Sequence, residues 1–126
     1  MDVRPAREEE LHGVCNVLDG GFLAVGHDTV TDAIPVGNVL VAVETHDRGE
    51  PPLGTLVLGG DEIRAVAVRR RRRGQGIGTA LVEAALDRRG RLVAGFDGRV
   101  RPFWESLGFT LEETDEEDRY RGVLTG

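Results

Sequence analysis

Leu11, Val14, Cys15 and Leu18 fall at i, i+3, i+4 and i+7, the apolar stripe of an amphipathic helix. Glu8, Glu9 and Glu10 precede it, where acidic side chains favour a helix N-terminus. Asp19-Gly20-Gly21 stops it. Ahead of this helix, residues 2–6 suit a short first strand. Residues 28–34 suit a short helix closed by Pro35 and Gly37. Two apolar runs of β-forming residues follow, 39–43 and 53–58, joined by a polar turn over 47–52 and closed by Gly59-Gly60-Asp61. The pair reads as an antiparallel meander.

The pattern then changes. Residues 63–68 are apolar and β-branched apart from Arg64, as in a strand covered on both faces. Strand alternation predicts Glu62, Arg64, Val66 and Val68 on one face. Five consecutive arginines, 69–73, lead into Gly74-Gln75-Gly76-Ile77-Gly78. Ile77, Leu81, Ala84 and Ala85 carry helical periodicity through Arg89, with Arg88 and Arg89 complementing the C-terminal dipole and Gly90 as the cap. Residues 92–96 form the next strand, so strand, helix and strand make a right-handed crossover between parallel neighbours. Pro102 suits a helix first turn, Phe103 and Leu107 share a face, and Gly108 ends that short helix. Residues 109–112 and 120–124 are closing strands around an acidic turn.

A chain of 126 residues is the size of one domain, here residues 1–126, with 40% hydrophobic and 30% charged residues. No apolar stretch approaches the length of a membrane span and no apolar leader follows Met1, so a cytoplasmic protein without membrane association is expected. The single Cys15 excludes an internal disulfide framework and reads as core filler. His12, His27 and His46 lack metal-ligand spacing, so no metal is expected, although His27 sits where an acceptor site could border. Net charge is −6, and every one of the 16 basic residues is arginine. That balance fits either an acidic, salt-adapted surface or a GC-rich coding sequence, and it opposes general nucleic-acid binding. The arginine run alone would suit a basic nucleic-acid adaptor, but no aromatics are interleaved with it.

Alternate glycines between a strand and a helix let backbone N–H groups approach an anion at a helix N-terminus. Such a turn holds a phosphate or pyrophosphate; the alternative is a tight turn that packs helix on sheet. A P-loop is excluded because the chain has no lysine, and a dinucleotide fingerprint because the spacing is G-x-G-x-G rather than G-x-G-x-x-G.

Arg73-Gly74-Gln75-Gly76-Ile77-Gly78 resembles the R/Q-x-x-G-x-G/A motif of the GNAT superfamily of N-acetyltransferases. Residues 63–68 resemble that family's fourth strand, Thr79-Ala80-Leu81-Val82 its third helix, and residues 103–109 its fourth helix entering the sixth strand. The specific similarity covers roughly residues 62–109, and the chain would be a short member. The resemblance implies an α/β (α+β) fold. Its central sheet is mixed and mostly antiparallel, with a parallel strand–helix–strand unit and helices on both faces.

The resemblance also implies acetyl-CoA as cosubstrate. Amides of Arg73, Gly74, Gln75, Gly76, Ile77, Gly78 and Thr79 would hold its pyrophosphate. Val66, Ala67 and Val68 would pair with the pantetheine arm in a gap between the fourth and fifth strands. Trp104 stands where most active members carry a tyrosine acid, and is expected beside the cofactor; Asp97 replaces a common asparagine and could hold CoA or donate a proton. Arg69 to Arg72 either meet CoA phosphates or form a solvated basic loop. Tyr120, the single tyrosine, is expected to pack on the sheet.

Transfer to an amine needs the amine neutral. For a lysine-type amine that costs about 4.6 kcal/mol at pH 7, and for an α-amine about 1 kcal/mol. Glu62, at the start of the fourth strand, resembles the glutamate base of the histone-acetylating branch of the family; the alternatives are a plain Glu62–Arg64 ion pair and water-relayed deprotonation with no dedicated base. A backbone N–H near Val68 would stabilise the oxyanion. Two functions stay open: acetyl transfer to an amine (small molecule, peptide or protein), or acetyl-CoA binding without turnover. A C-terminal edge strand offers a route to a homodimer.

Overall fold

The structure is a computed structural model that describes residues 1–18, 27–44 and 52–126. The expected helix stop at 19–21, most of the turn over 47–52, and His46 lie outside the described residues, as does the side chain of His27. The described chain runs β1 (Asp2–Pro5), α1 (Leu11–Leu18), α2 (His27–Ala33), β2 (Val39–Val43), β3 (Gly54–Gly59) and β4 (Glu62–Val68). It continues with α3 (Ile77–Arg89), β5 (Arg91–Asp97), α4 (Arg101–Ser106), β6 (Thr110–Glu113) and β7 (Arg119–Thr125). Short 3-10 turns at Glu8–Glu10, Arg70–Arg72 and Gly98–Val100 lead into α1, the glycine turn and α4.

The seven strands form one sheet in the order β1-β2-β3-β4-β5-β7-β6, antiparallel except for β4 and β5. This is the mixed, mostly antiparallel sheet with one parallel unit that the sequence implies. Among the described residues no helix is long and apolar enough to cross a membrane.

Two apolar layers hold the sheet. On one face Leu56, Leu58, Ile63, Val66, Leu92 and Phe96 pack with Ile77, Leu81, Val82 and Ala85 of α3. On the other, Val39, Val41, Val57, Ala65 and Ala67 pack with Val14, Val17 and Leu18 of α1 and with Val30 and Ala33 of α2. Burying each larger aliphatic side chain contributes about 1.5–3 kcal/mol. Of the expected stripe of α1, Val14 and Leu18 are buried while Leu11 and Cys15 are half-buried against this second layer, and Val17 joins the buried set.

Two glycines position α3. A Cβ on Gly54 would lie 3.0 Å from both the Ala67 carbonyl and Ile77 Cγ2, so only glycine lets the helix settle on β3. Gly90 ends the helix at φ 75, its N–H donating to the Leu86 carbonyl at 2.7 Å.

β4 carries a bulge. Val57 faces Ala65 but Leu58 faces Ile63, which leaves Arg64 as an extra residue on β4. The alternation of side chains therefore changes phase within the strand. Ile63 and Val66 both join the α3 layer, while Ala65 and Ala67 join the α1 layer. This corrects the expectation that Glu62, Arg64, Val66 and Val68 share one face: Glu62 lies on the side opposite Ile63 and Val66.

Candidate active site

β4 and β5 share a single register pair, Glu62 with Val93, where the Val93 N–H donates to the Asp61 carbonyl at 2.9 Å. Beyond that pair the strands part and form a fork. Arg69 N–H donates to the Leu53 carbonyl of the β3 side at 2.8 Å. Successive amides of a strand point to opposite edges, so Val68 and Val66 turn their N–H groups towards the fork.

The glycine turn closes the wide end. Gly74 and Gly76 have φ 79 and φ 80, left-handed values that suit glycine, and the space beside each Cα is open. In α3 the first N–H with a partner is that of Ala80, bonded to the Gly76 carbonyl at 3.0 Å. Six successive amides, Gly74 to Thr79, find no acceptor among the described residues. A helix N-terminus with a left-handed approach thus presents a concave row of donors, the arrangement that binds an anion. The Nε of Arg72 is also buried without a partner among the described residues, while its terminal nitrogen pairs with Glu44.

The turn and the fork enclose a cleft of about 480 Å³. Val66, Ala67, Val68, Arg73, Gly74, Gly76, Ile77, Gly78 and Thr79 line one side. Arg99, Val100, Pro102, Phe103 and Ser106 form the facing wall, which the sequence reading missed; the Pro102-Phe103 pair in the first turn of α4 was its only signal. Gly78 lets that wall approach, since a Cβ there would touch the Phe103 ring at 3.4 Å. Gln75 is exposed and does not line the cleft. Arg69 to Arg73 border an adjoining cavity of about 600 Å³ that meets the cleft at Val68, Arg72 and Arg73. Arg69 is tied down there by an Nε bond to the Pro52 carbonyl at 2.7 Å.

Trp104 is not beside the cleft. It is 2% exposed and sits among Phe96, Phe103 and Phe109, with ring centroids 5.1–5.2 Å away. In a helix of one and a half turns, only one of two neighbouring aromatics can face the core. The core takes Trp104, and Phe103 faces the cleft.

Glu62 stands at the crotch of the fork, half-exposed, with its carboxylate 3.1 Å from Arg64 Nε. Asp97 caps the turn before α4 by accepting the Arg99 N–H at 3.1 Å, which sets Arg99 against the cleft. Tyr120 stacks on Phe96 at 6.3 Å and lies under the Arg101 guanidinium at 5.0 Å, a packing role. Glu105 holds Arg101 there and keeps it charged, raising its pKa.

The GNAT acetyltransferase domain model matches residues 34–111, which include the fork, the glycine turn and α4. The chain belongs to the GNAT acetyltransferase family. Solved structures agree with this fold. Rv2747 from Mycobacterium tuberculosis, solved with CoA, superposes with a TM-score of 0.80 at 20% identity, covering 100% of this chain and 99% of that one. Apo YjaB from Escherichia coli gives 0.65 at 24% identity over 98% and 95% of the two chains. N-acetylglutamate synthase from Neisseria gonorrhoeae, solved with CoA and L-arginine, gives 0.77 at 16% identity, covering 98% of this chain and 32% of that one. No curated protein sequence matches the chain. Within this GNAT fold, the nine expected residues that line the cleft come from two segments, the end of β4 and the glycine turn.

Proposed function

We propose that the chain is an N-acetyltransferase that uses acetyl-CoA to acetylate an amine. The observation that carries this reading is the row of six unpartnered amides, Gly74 to Thr79, at the mouth of a fork whose β4 edge also has free N–H groups. A diphosphate satisfies the first set and an extended amide-bearing arm the second. The residues present therefore fit acetyl-CoA, which when bound supplies the activated acetyl thioester.

The chain's own residues then have separable tasks. The turn amides and Arg73 hold the diphosphate, and Arg99 faces it from the other wall. Phe103, Val100 and Pro102 keep water from the arm. The Val68 N–H points to where negative charge develops on the acetyl oxygen. Glu62 accepts the amine proton at the narrow end of the fork, directly or through one water. Asp97 acts by placing Arg99 and not as an acid.

One observation supports the second reading, acetyl-CoA binding without turnover: with Trp104 in the core and Asp97 spent as a cap, neither candidate acid reaches the cleft. The CoA thiolate is itself a good leaving group, so the transferase reading does not require either. Free-thiol release from acetyl-CoA across a panel of amines separates the two. Turnover above the acceptor-free rate supports the transferase; saturable binding by calorimetry with no release for any amine supports the binding module. Absence of binding removes both.

A further inference from the structure

On the sheet face opposite the α3 layer, a second hollow of about 390 Å³ opens at the crotch of the fork, bordered by Glu62, Val93, Gly95, Arg119 and Arg121 among others. It shares its edge with the fork, because Glu62 and Val93 are the last pair before β4 and β5 separate. An acceptor seated there reaches the gap from the side away from α3.

Gly95 lies in the middle of β5, where glycine weakens a strand. Nothing in the fold demands it. Its φ is not left-handed, and a Cβ there would meet no atom within 4 Å among the described residues. Gly54 and Gly122, by contrast, have neighbours at 3.0 Å from such a Cβ. A strand glycine open to a hollow marks a place where a ligand lies against the backbone.

Directly across the ladder from Gly95 is Arg121, and two pairs on, on the same face, Arg119 faces Asp97. Both guanidiniums are under-used. Arg121 is 3.6 Å from Glu112 and Arg119 is 4.0 Å from Glu116, and neither side chain makes a hydrogen bond among the described residues. The hollow therefore has the Glu62 carboxylate at the fork, the two guanidiniums along β7, and Asp115 and Glu116 of the turn before β7 on its border. Glu116 is the acid that faces Arg119, whereas Glu112, which faces Arg121, does not border the hollow, so Arg121 is the guanidinium turned to a ligand there. An amine that also carries a carboxylate satisfies both ends, since arginine binds carboxylate through two parallel bonds.

Resting on the transferase reading above, we infer that the acceptor is a small amino acid whose carboxylate sits on Arg121, with Arg119 beside it, while its amine lies over Gly95 towards Glu62. In the transfer the amine nitrogen bonds to the acetyl carbon and the carbon–sulfur bond breaks. The amine proton passes to Glu62 or water, and the thiolate leaves as CoA.

The test uses the full chain, acetyl-CoA and free-thiol release. Each common L-amino acid is compared with its methyl ester and with spermidine, per unit of unprotonated amine. At least one free amino acid should exceed its ester by 10-fold or more in kcat/KM. Arg121→Gln should bring that ratio near one. Gly95→Val should raise KM for the amino acid more than 10-fold while calorimetric binding of acetyl-CoA and the melting temperature stay as in the parent; Gly95→Ala should give a smaller rise of the same sign. Esters or spermidine accepted as well as amino acids, no amino acid accepted despite acetyl-CoA binding, or an unchanged ratio in Arg121→Gln each overturns the inference. Failure to bind acetyl-CoA instead overturns the reading on which it rests.

Discussion

Phe96 of β5 and Trp104 of α4 stack face to face, their ring centroids 5.2 Å apart and their planes inclined by 16°. This contact ties α4, one wall of the cleft, to the central sheet. Trp104→Ala should cost about 3–5 kcal/mol, the usual loss for a fully buried aromatic. Urea unfolding measures it. Trp104→Tyr should cost less, and should leave the pH profile of acetyl transfer unmoved, because a hydroxyl at this position lies in the core and not at the reacting atoms. A new proton-donor limb in that profile would contradict the placement.

The glycine turn makes a sharper prediction. Ala at position 74 or 76 meets no atom within 4 Å among the described residues, so the cost of the substitution lies in the backbone. It does force a left-handed φ on a residue with a Cβ, at about 1–2 kcal/mol. Relaxation of that φ turns the amides away from their common focus. Gly76→Ala should therefore weaken acetyl-CoA binding about 10-fold or more, a difference of about 1.4 kcal/mol. Calorimetry reads the change, and far-ultraviolet circular dichroism should show the helices intact.

Gly54 tests packing rather than binding. Gly54→Ala sets a methyl 3.0 Å from the Ala67 carbonyl and from Ile77 Cγ2. Overpacking of this kind typically costs about 1–3 kcal/mol. Because Ile77 opens α3, the shift should also disturb the turn, and loss of stability should be accompanied by weaker acetyl-CoA binding.

Arg4 and Glu10 form a two-pronged ion pair at 2.7 and 2.9 Å, and Glu10 also accepts the Arg7 N–H at 2.8 Å. These bonds, Arg4 first, pull the Glu10 carboxyl below its ordinary value of 4.5. A depressed carboxylate contributes stability that is fully present above its unfolded pKa and is lost as pH falls through the folded one. Glu10→Gln should thus lower stability by about 1 kcal/mol at pH 7. The gap to the parent should close below about pH 4, in urea titrations at stepped pH.

The sequence made some of this architecture legible and hid the rest for physical reasons. α3 is readable to the residue, Ile77–Arg89, because left-handed glycines bracket it and Arg88 and Arg89 close its last turn. The bulge in β4 was not. Residues 63–68 are apolar on both faces apart from Arg64, so no alternation exists in which a phase change could appear. Trp104 and Phe103 are adjacent aromatics on a short helix, and pattern alone does not say which one the core takes. The hollow on the far face depends on cross-strand partners such as Gly95 and Arg121, whose neighbourhood is set by β5–β7 register rather than by local sequence.

A sheet joined at its middle by one rung is mechanically two plates, β1 to β4 and β5 to β6, that share a helix across their seam. Any molecule that lies along the seam works as a keystone. It lends the open edges of β4 and β5 the partners they do not give each other, and so couples the motion of one plate to the other.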